Sequence, residues 1–343
     1  MPRILSRLDP FILSLLATVA LASALPARGS GARVFSDLST AGICLLFFLH
    51  GARLSPRAAL DGLRQWRLHL FIFSLTFVLF PLLMLPLRLL EPGLIPHELF
   101  VGLVFLSVLP STVQSSIAFT SIAKGNVAAA VCSASMSNLI GVVLSPLLVS
   151  VLLGSAARVS ASSMLAVAAQ LLLPFAAGQL LRTRLVPKLE RHPHVLASVD
   201  RGSVLLVVYT AFGEGVVAGI WHRVSWEQLV AVLVIDAALL AVVLSASSIG
   251  GRLLGFGRED RIAAIFCGSK KSLASGLPMA TLLFPAATVS TIVLPLMLFH
   301  QVQLMACAAI SRRFARSAPT TETADTAAPE RGELTQPSAA LSS

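Results

Sequence analysis

Apolar residues in this chain are gathered into long runs, separated by short polar and basic connections, at 11–25, 38–49, 68–87, 99–123, 127–153, 164–181, 204–220, 229–249, 262–283 and 289–310. A helix needs about twenty predominantly apolar residues to cross a bilayer. The pattern therefore predicts ten transmembrane helices in an all-α integral membrane protein. The first two runs are short for a tilted span, and the fourth and ninth carry polar clusters.

Those two polar clusters carry the chemistry. The fourth run reads FVGLVFLSVLPSTVQSSIAFTSIAKGN, in which Pro110 is followed by Ser111, Thr112, Gln114, Ser115 and Ser116. Proline removes a backbone donor and clashes with the preceding turn, so the helix is expected to break here. Backbone groups freed at membrane depth must then be satisfied by protein, ion or water. The ninth run repeats the arrangement: Gly268, Ser269, Lys270, Lys271, Ser272, Ser275, Gly276 and Pro278 interrupt an otherwise apolar stretch. Two lysines at mid-membrane must line a cavity, meet a partner, or snorkel to an interface; the first two readings make them candidate functional residues.

Breaks at the fourth and ninth places of ten occupy corresponding positions in two halves of five, about 9–155 and 160–312. An odd number of spans per half inverts one half relative to the other, which predicts an inverted repeat whose broken spans cross. Half-helix amino ends at such a crossing face anionic groups, while unwound carbonyls and hydroxyls can coordinate a cation. Alternating access follows from that architecture.

Composition narrows the class. The chain is 56% hydrophobic and 12% charged, with a mean hydropathy of +0.85, which excludes a soluble surface. The net charge of +10 sits in short blocks between apolar runs, a membrane pattern rather than a nucleic-acid footprint. With ten spans and the amino terminus inside, the blocks around Arg3, Arg53, Arg182, Arg252 and Arg312 fall on the cytoplasmic side. Only Arg28, Arg33, Arg88, Arg158 and Arg223 fall opposite, as the positive-inside rule requires. Both termini are thereby placed in the cytoplasm of a multi-pass protein of the cell inner (plasma) membrane. Arg53, Arg57, Arg64 and Arg67 read as topology and lipid-headgroup determinants, so membrane lipids are expected neighbours. Arg3, Arg7, the first run and Ala22-Ser23-Ala24 also fit a cleavable secretory signal. Residues 317–343, rich in Thr, Ala, Pro, Ser and Glu, read as a disordered cytoplasmic tail. Cys44, Cys132, Cys267 and Cys307 lie in apolar runs without metal-ligand spacing and are expected to be reduced. Trp66, Trp221 and Trp226 fall at span ends, and His50 and His300 read as packing or interface residues.

The stretches LDPFILSLLATVALASALPARG, FFLHGARLS, LPSTVQSSIAFTSIAKGNVAAAVCSASMSNLIGVVLSPLL and GSKKSLASGLPMA resemble the bile acid:sodium symporter family, and within it the divergent sodium/bile acid cotransporter 7 branch. The likeness covers nearly all of the chain except the tail, and it assigns the first run to the family's first span rather than to a cleaved signal. It implies a core domain of spans three to five and eight to ten, a panel of spans one, two, six and seven, and substrate in the cleft between them. Carried over by position, an ion shell would fall on Gln114, Ser115 and Ser116, on Ser133, Ser137 and Asn138, and on Ser269 to Ser272. Sodium-coupled members place a glutamate and then a glutamine where this chain has Ser269-Lys270-Lys271-Ser272.

Two ammonium groups would repel a sodium ion from that position. A lysine can instead stand in for the bound cation as a tethered charge, and a buried lysine can carry a coupling proton. Asp236 and Glu214 are the candidate charge partners, Asp236 preferred because span eight shares the core with span nine. The alternative for Asp236 is the outer interface, and for Glu214 close packing among Gly213, Gly215 and Gly219. The expected function is symport of a small organic anion, bile acid-like or another carboxylate or sulfonate, with sodium or protons and no cofactor. A membrane-embedded lipid- or sterol-binding regulator is the alternative. Enzyme chemistry is not expected, since the chain has no HExxH, nucleophile elbow or P-loop.

Overall fold

A computed structural model describes residues 10–53, 65–91, 93, 95–154, 161–189, 191, 193–217, 219 and 224–317. The stretches expected to hold Arg3 and Arg7, the segment with Arg57 and Arg64, Arg158, Trp221 and Arg223, and the tail beyond residue 317 lie outside the described residues. The described chain is helical, with no strand. In order the helices are α1 (Pro10–Ala24), α2 (Ser30–Arg53), α3 (Trp66–Leu90), α4 (His97–Val108), α5 (Val113–Ile122), α6 (Val127–Leu153), α7 (Ala161–Leu180), α8 (Arg182–Leu189), α9 (Pro193–Val217), α10 (Trp226–Leu253), α11 (Arg258–Gly268), α12 (Leu273–Leu283) and α13 (Ala286–Arg316).

Length and apolarity make α3, α6, α10, α13 and Ser30–Leu49 of α2 long enough to cross a membrane, and α4 with α5 forms a sixth candidate bent by 59°. Among the described residues the other predicted spans do not reach that standard: Leu13–Ala24 of α1 and Ala169–Leu180 of α7 are shorter apolar helices, and α11 opens on Arg258-Glu259-Asp260-Arg261 before the two lysines. In the bundle the usual arrangement of a soluble protein is inverted. Leu70, Val78, Leu82, Leu89, Val151, Val234 and Leu253 lie on the outside, while Ser107, Ser116, Ser133, Ser137, Lys270, Lys271 and Gln303 are buried. Such a surface suits lipid, and Trp66 and Trp226 stand exposed at helix starts, where amphipathic rings meet the headgroups.

Two groups of helices pack within themselves. In one, α2 lies against α7 and α9, and α9 also against α1; the other comprises α3 to α6 with α10 to α13. The α2–α7 contact is unusually close: a Cβ on Gly51 would lie 1.9 Å from the Phe175 carbonyl oxygen, and one on Gly178 the same distance from that of Phe48. Only glycine lets the backbones approach this far. The second group holds much of the apolar core, with Phe105 edge-on to Phe284 and Phe80 edge-on to Phe299.

Candidate functional site: two crossed helix breaks

Helix α4 stops because Pro110 forces the preceding residue out of the helical region; Leu109 is extended (φ −71°, ψ 152°), and α5 restarts after Thr112. The second break lies at Ser269–Ser272, where Ser272 caps α12 by accepting from the Ser275 amide. Pro278 does not interrupt that helix, contrary to the sequence expectation, but sits inside α12. The interruption comes at the Ser-Lys-Lys-Ser stretch, where the Lys271 backbone and ammonium and the Ser272 amide bond to other segments of the chain.

The breaks touch directly. The Ser272 amide donates to the Pro110 carbonyl (2.8 Å), and the Thr112 hydroxyl to the Lys271 carbonyl (2.8 Å). Gln303 of α13 grips the Lys271 peptide from both sides, accepting from its amide and donating to its carbonyl, each at 2.9 Å. Most side chains expected in an ion shell perform the same service. Ser137 accepts from the Ser111 amide (3.0 Å), Asn138 donates to the Ser111 carbonyl (2.7 Å) and accepts from Ser275 (2.5 Å), and Ser116 donates to the Phe266 carbonyl (3.0 Å). Ser269 turns back onto its own helix at Ile265 O, and Ser133 shares a hydrogen bond with His69. Backbone freed at membrane depth is thus satisfied by protein.

Both lysines are fully buried, so neither snorkels to an interface. Lys271 donates its three ammonium hydrogens to carbonyls of Thr76 (2.7 Å), Ser107 (2.6 Å) and Leu109 (2.8 Å), and its nitrogen lies 4.1 Å from the centroid of the Phe80 ring. Those carbonyls are vacant for a reason written in the sequence. Helix α3 takes a π turn at Leu75–Leu79, where the Phe80 amide bonds to Leu75 instead of Thr76, and the next residue, Pro81, has no amide to offer. Ser107 and Leu109 lie at the carboxyl end of α4, where carbonyls have no helical partner and the helix dipole favours a cation.

Lys270 is the opposite case: its ammonium has no hydrogen-bond partner and lies 3.9 Å from the Phe119 ring centroid and 5.9 Å from that of Phe266. The expected carboxylate partner is not there. Asp236 is fully buried on α10, with neither oxygen hydrogen-bonded among the described residues. Carbonyl oxygens have taken the place of the acid at Lys271. Glu214 is half-buried on α9, beside Gly215, whose absent Cβ lets α9 approach Ser290 of α13.

Next to the crossing lies a cavity of about 360 Å³. The amino ends of α5 (Val113, Gln114, Ser115) and α12 (Leu273, Ala274) open onto it with Thr112, Asn138 and Ser272, and Leu46, Arg201 and Val204 close it from the first helix group. Phe119, Ile122, His300 and Leu304 complete the lining. The Ser115 hydroxyl has no hydrogen-bond partner within the protein. His300, read from sequence as a packing residue, is buried, shares a hydrogen bond with Gln303 and also borders this space.

Residues 9–316 match the SBF-like CPA transporter family. The chain belongs to that family. An uncharacterized protein of Pseudomonas aeruginosa is 52% identical over 310 residues, covering 90% of this chain and 93% of its own length. YfeH of Escherichia coli, which carries a provisional symporter name, is 49% identical with the same coverage. Sodium/bile acid cotransporter 7-A of Xenopus laevis is 27% identical over 306 residues, 87% of this chain and 89% of its own length. The chain is therefore a multi-pass membrane transporter and not an enzyme, and membership does not favour a role as a lipid-binding regulator. For this transporter, sequence reasoning had located the two breaks and the lysines but missed Thr76, Phe119, Arg201 and Gln303. The π turn ahead of Pro81 was the available signal for Thr76; nothing local marked the others.

Proposed function

We propose that the chain is a secondary transporter of organic anions that works by alternating access without a bound sodium ion, Lys271 occupying the cation's place. The observation that carries this reading is the ammonium of Lys271 held by three carbonyl oxygens at the meeting point of the helix breaks. A coordination shell filled by a tethered cation has no need of a free one. The hydroxyls and amide of Ser116, Ser137 and Asn138, which an ion would require as ligands, are bonded to backbone and, at Asn138, to the Ser275 hydroxyl instead.

In the full reading, ten spans form two inverted five-helix repeats. The spans below the length or composition threshold are α1, α7, α9 and the α11–α12 pair. Helices α1, α2, α7 and α9 form the panel and the others the core. The cavity beside the crossing is the substrate site. Two half-helix amino ends and Arg201 supply positive potential there, Gln114 and Ser115 add polar groups, and Leu46, Val204 and Leu304 suit an apolar body. Under the positive-inside orientation this cavity lies toward the cytoplasm with both termini, an inward-facing state in the inner membrane. A bile acid-type substrate agrees with the name of the Xenopus laevis relative.

Thermal stability of the purified protein in sodium chloride and potassium chloride at equal ionic strength tests the reading, because an ion that binds only the folded state raises apparent stability. Equal melting temperatures are expected. Stabilisation by sodium alone, saturable and mirrored by sodium-driven uptake in proteoliposomes, would refute it.

A further inference from the structure

The two adjacent lysines have contrasting surroundings. Lys271 has an acceptor for each of its three donors, whereas the equally buried ammonium of Lys270 has none and rests against the face of Phe119. Cation–π attraction amounts to about 2 kcal/mol when desolvated, less than the several kcal/mol that unmet charged donors cost in an apolar interior. An acceptor is therefore missing, and its route of entry is visible. The half-buried ring of Phe119 touches that ammonium and also lines the 360 Å³ cavity onto which α5 and α12 open.

We propose that Lys270 is a latent second anion subsite of this cavity, shut by Phe119 in the present conformation, and that the substrate class it selects is an organic dianion. One acid group lies at the amino ends of α5 and α12. The other meets Lys270 once the Phe119 ring has turned aside, each carboxylate or sulfonate oxygen accepting a charge-assisted hydrogen bond. The Phe266 ring packs beside that of Phe119, 6.0 Å from it and 5.9 Å from the ammonium. In the empty carrier the closed ring keeps the ammonium from water and from small inorganic anions. The inference rests on the reading of the cavity as the substrate site.

Adipate and hexanoate, equal in carbon number and differing in one carboxylate, provide the test, with apparent affinities from the concentration dependence of thermal stabilisation of the full chain. Adipate is expected to bind about tenfold tighter, the equivalent of one charge-assisted hydrogen bond. Lys270→Met should erase that advantage, bringing the two affinities together. Phe119→Leu, a smaller shutter, should widen it. Equal binding of the two anions by the wild type, or an advantage that survives Lys270→Met, overturns the second subsite while the transporter reading stands. Should Lys270→Met fail to fold, Phe119→Leu decides: an unchanged adipate-to-hexanoate ratio overturns the proposal. Stabilisation by neither anion overturns the assignment of the cavity itself, and this inference with it.

Discussion

Replacing Lys271 by methionine keeps the length and volume of the side chain and removes only its charge and donors. Three buried carbonyls, of Thr76, Ser107 and Leu109, then lose their partner, each at about 1–3 kcal/mol. Loss of the contact with the Phe80 ring adds up to about 2 kcal/mol. In the other direction, an apolar side chain avoids the desolvation of an ammonium, which returns several kcal/mol. The net for removing one member of a buried charged constellation is about 3–5 kcal/mol. At about 2 °C per kcal/mol for a long chain, the apparent melting temperature in detergent should fall by about 6–10 °C. Tryptophan fluorescence during a temperature ramp reads the shift. Lys271→Ala should in addition respond to millimolar methylammonium, which can enter the vacated shell, while the wild type should not. A Lys271→Met protein that melts within about 1 °C of the wild type, with no methylammonium response in Lys271→Ala, would refute the claim that this ammonium holds the crossing together.

Asn138→Ala removes the amide joining Ser111 of one break to Ser275 after the other, and should lower the melting temperature by an amount equivalent to about 2–3 kcal/mol without creating sensitivity to sodium. Gly51→Ala and Gly178→Ala each place a methyl group 1.9 Å from a facing carbonyl oxygen; each should impair folded yield on size exclusion, and the double variant should be less than additive because both prise apart the same pair of helices. Arg201→Gln, at the exposed mouth of the cavity, should weaken hexanoate stabilisation severalfold.

The sequence was most informative where backbone chemistry leaves a mark on residue type. Pro110 announced the first break, because a residue before proline avoids the helical region, and the Ser-Lys-Lys-Ser stretch announced the second through the cost of charge at membrane depth. Partners were harder to read. A lysine in a hydrophobic run invites a search for an acid, and Asp236 was the obvious one, yet the acceptors turned out to be carbonyls that carry no residue-type signature at all. Likewise Ser137 and Asn138 have the composition of an ion shell, and only the fold reveals that their oxygens and amide already serve the broken backbone. Pro278 misled because proline is tolerated inside a helix whose neighbours absorb the disruption.

A cation that is part of the chain cannot dissociate on the far side of the membrane. On the proposed reading, in which Lys271 takes the cation's place, the carrier draws nothing from a sodium gradient, and the electrical potential becomes the quantity that sets its direction. With the interior 100 mV negative, each unbalanced negative charge carried outward releases about 2.3 kcal/mol. On that reading an unaccompanied anion is expelled from the cell, and accumulation inside requires one positive charge to travel with each negative charge.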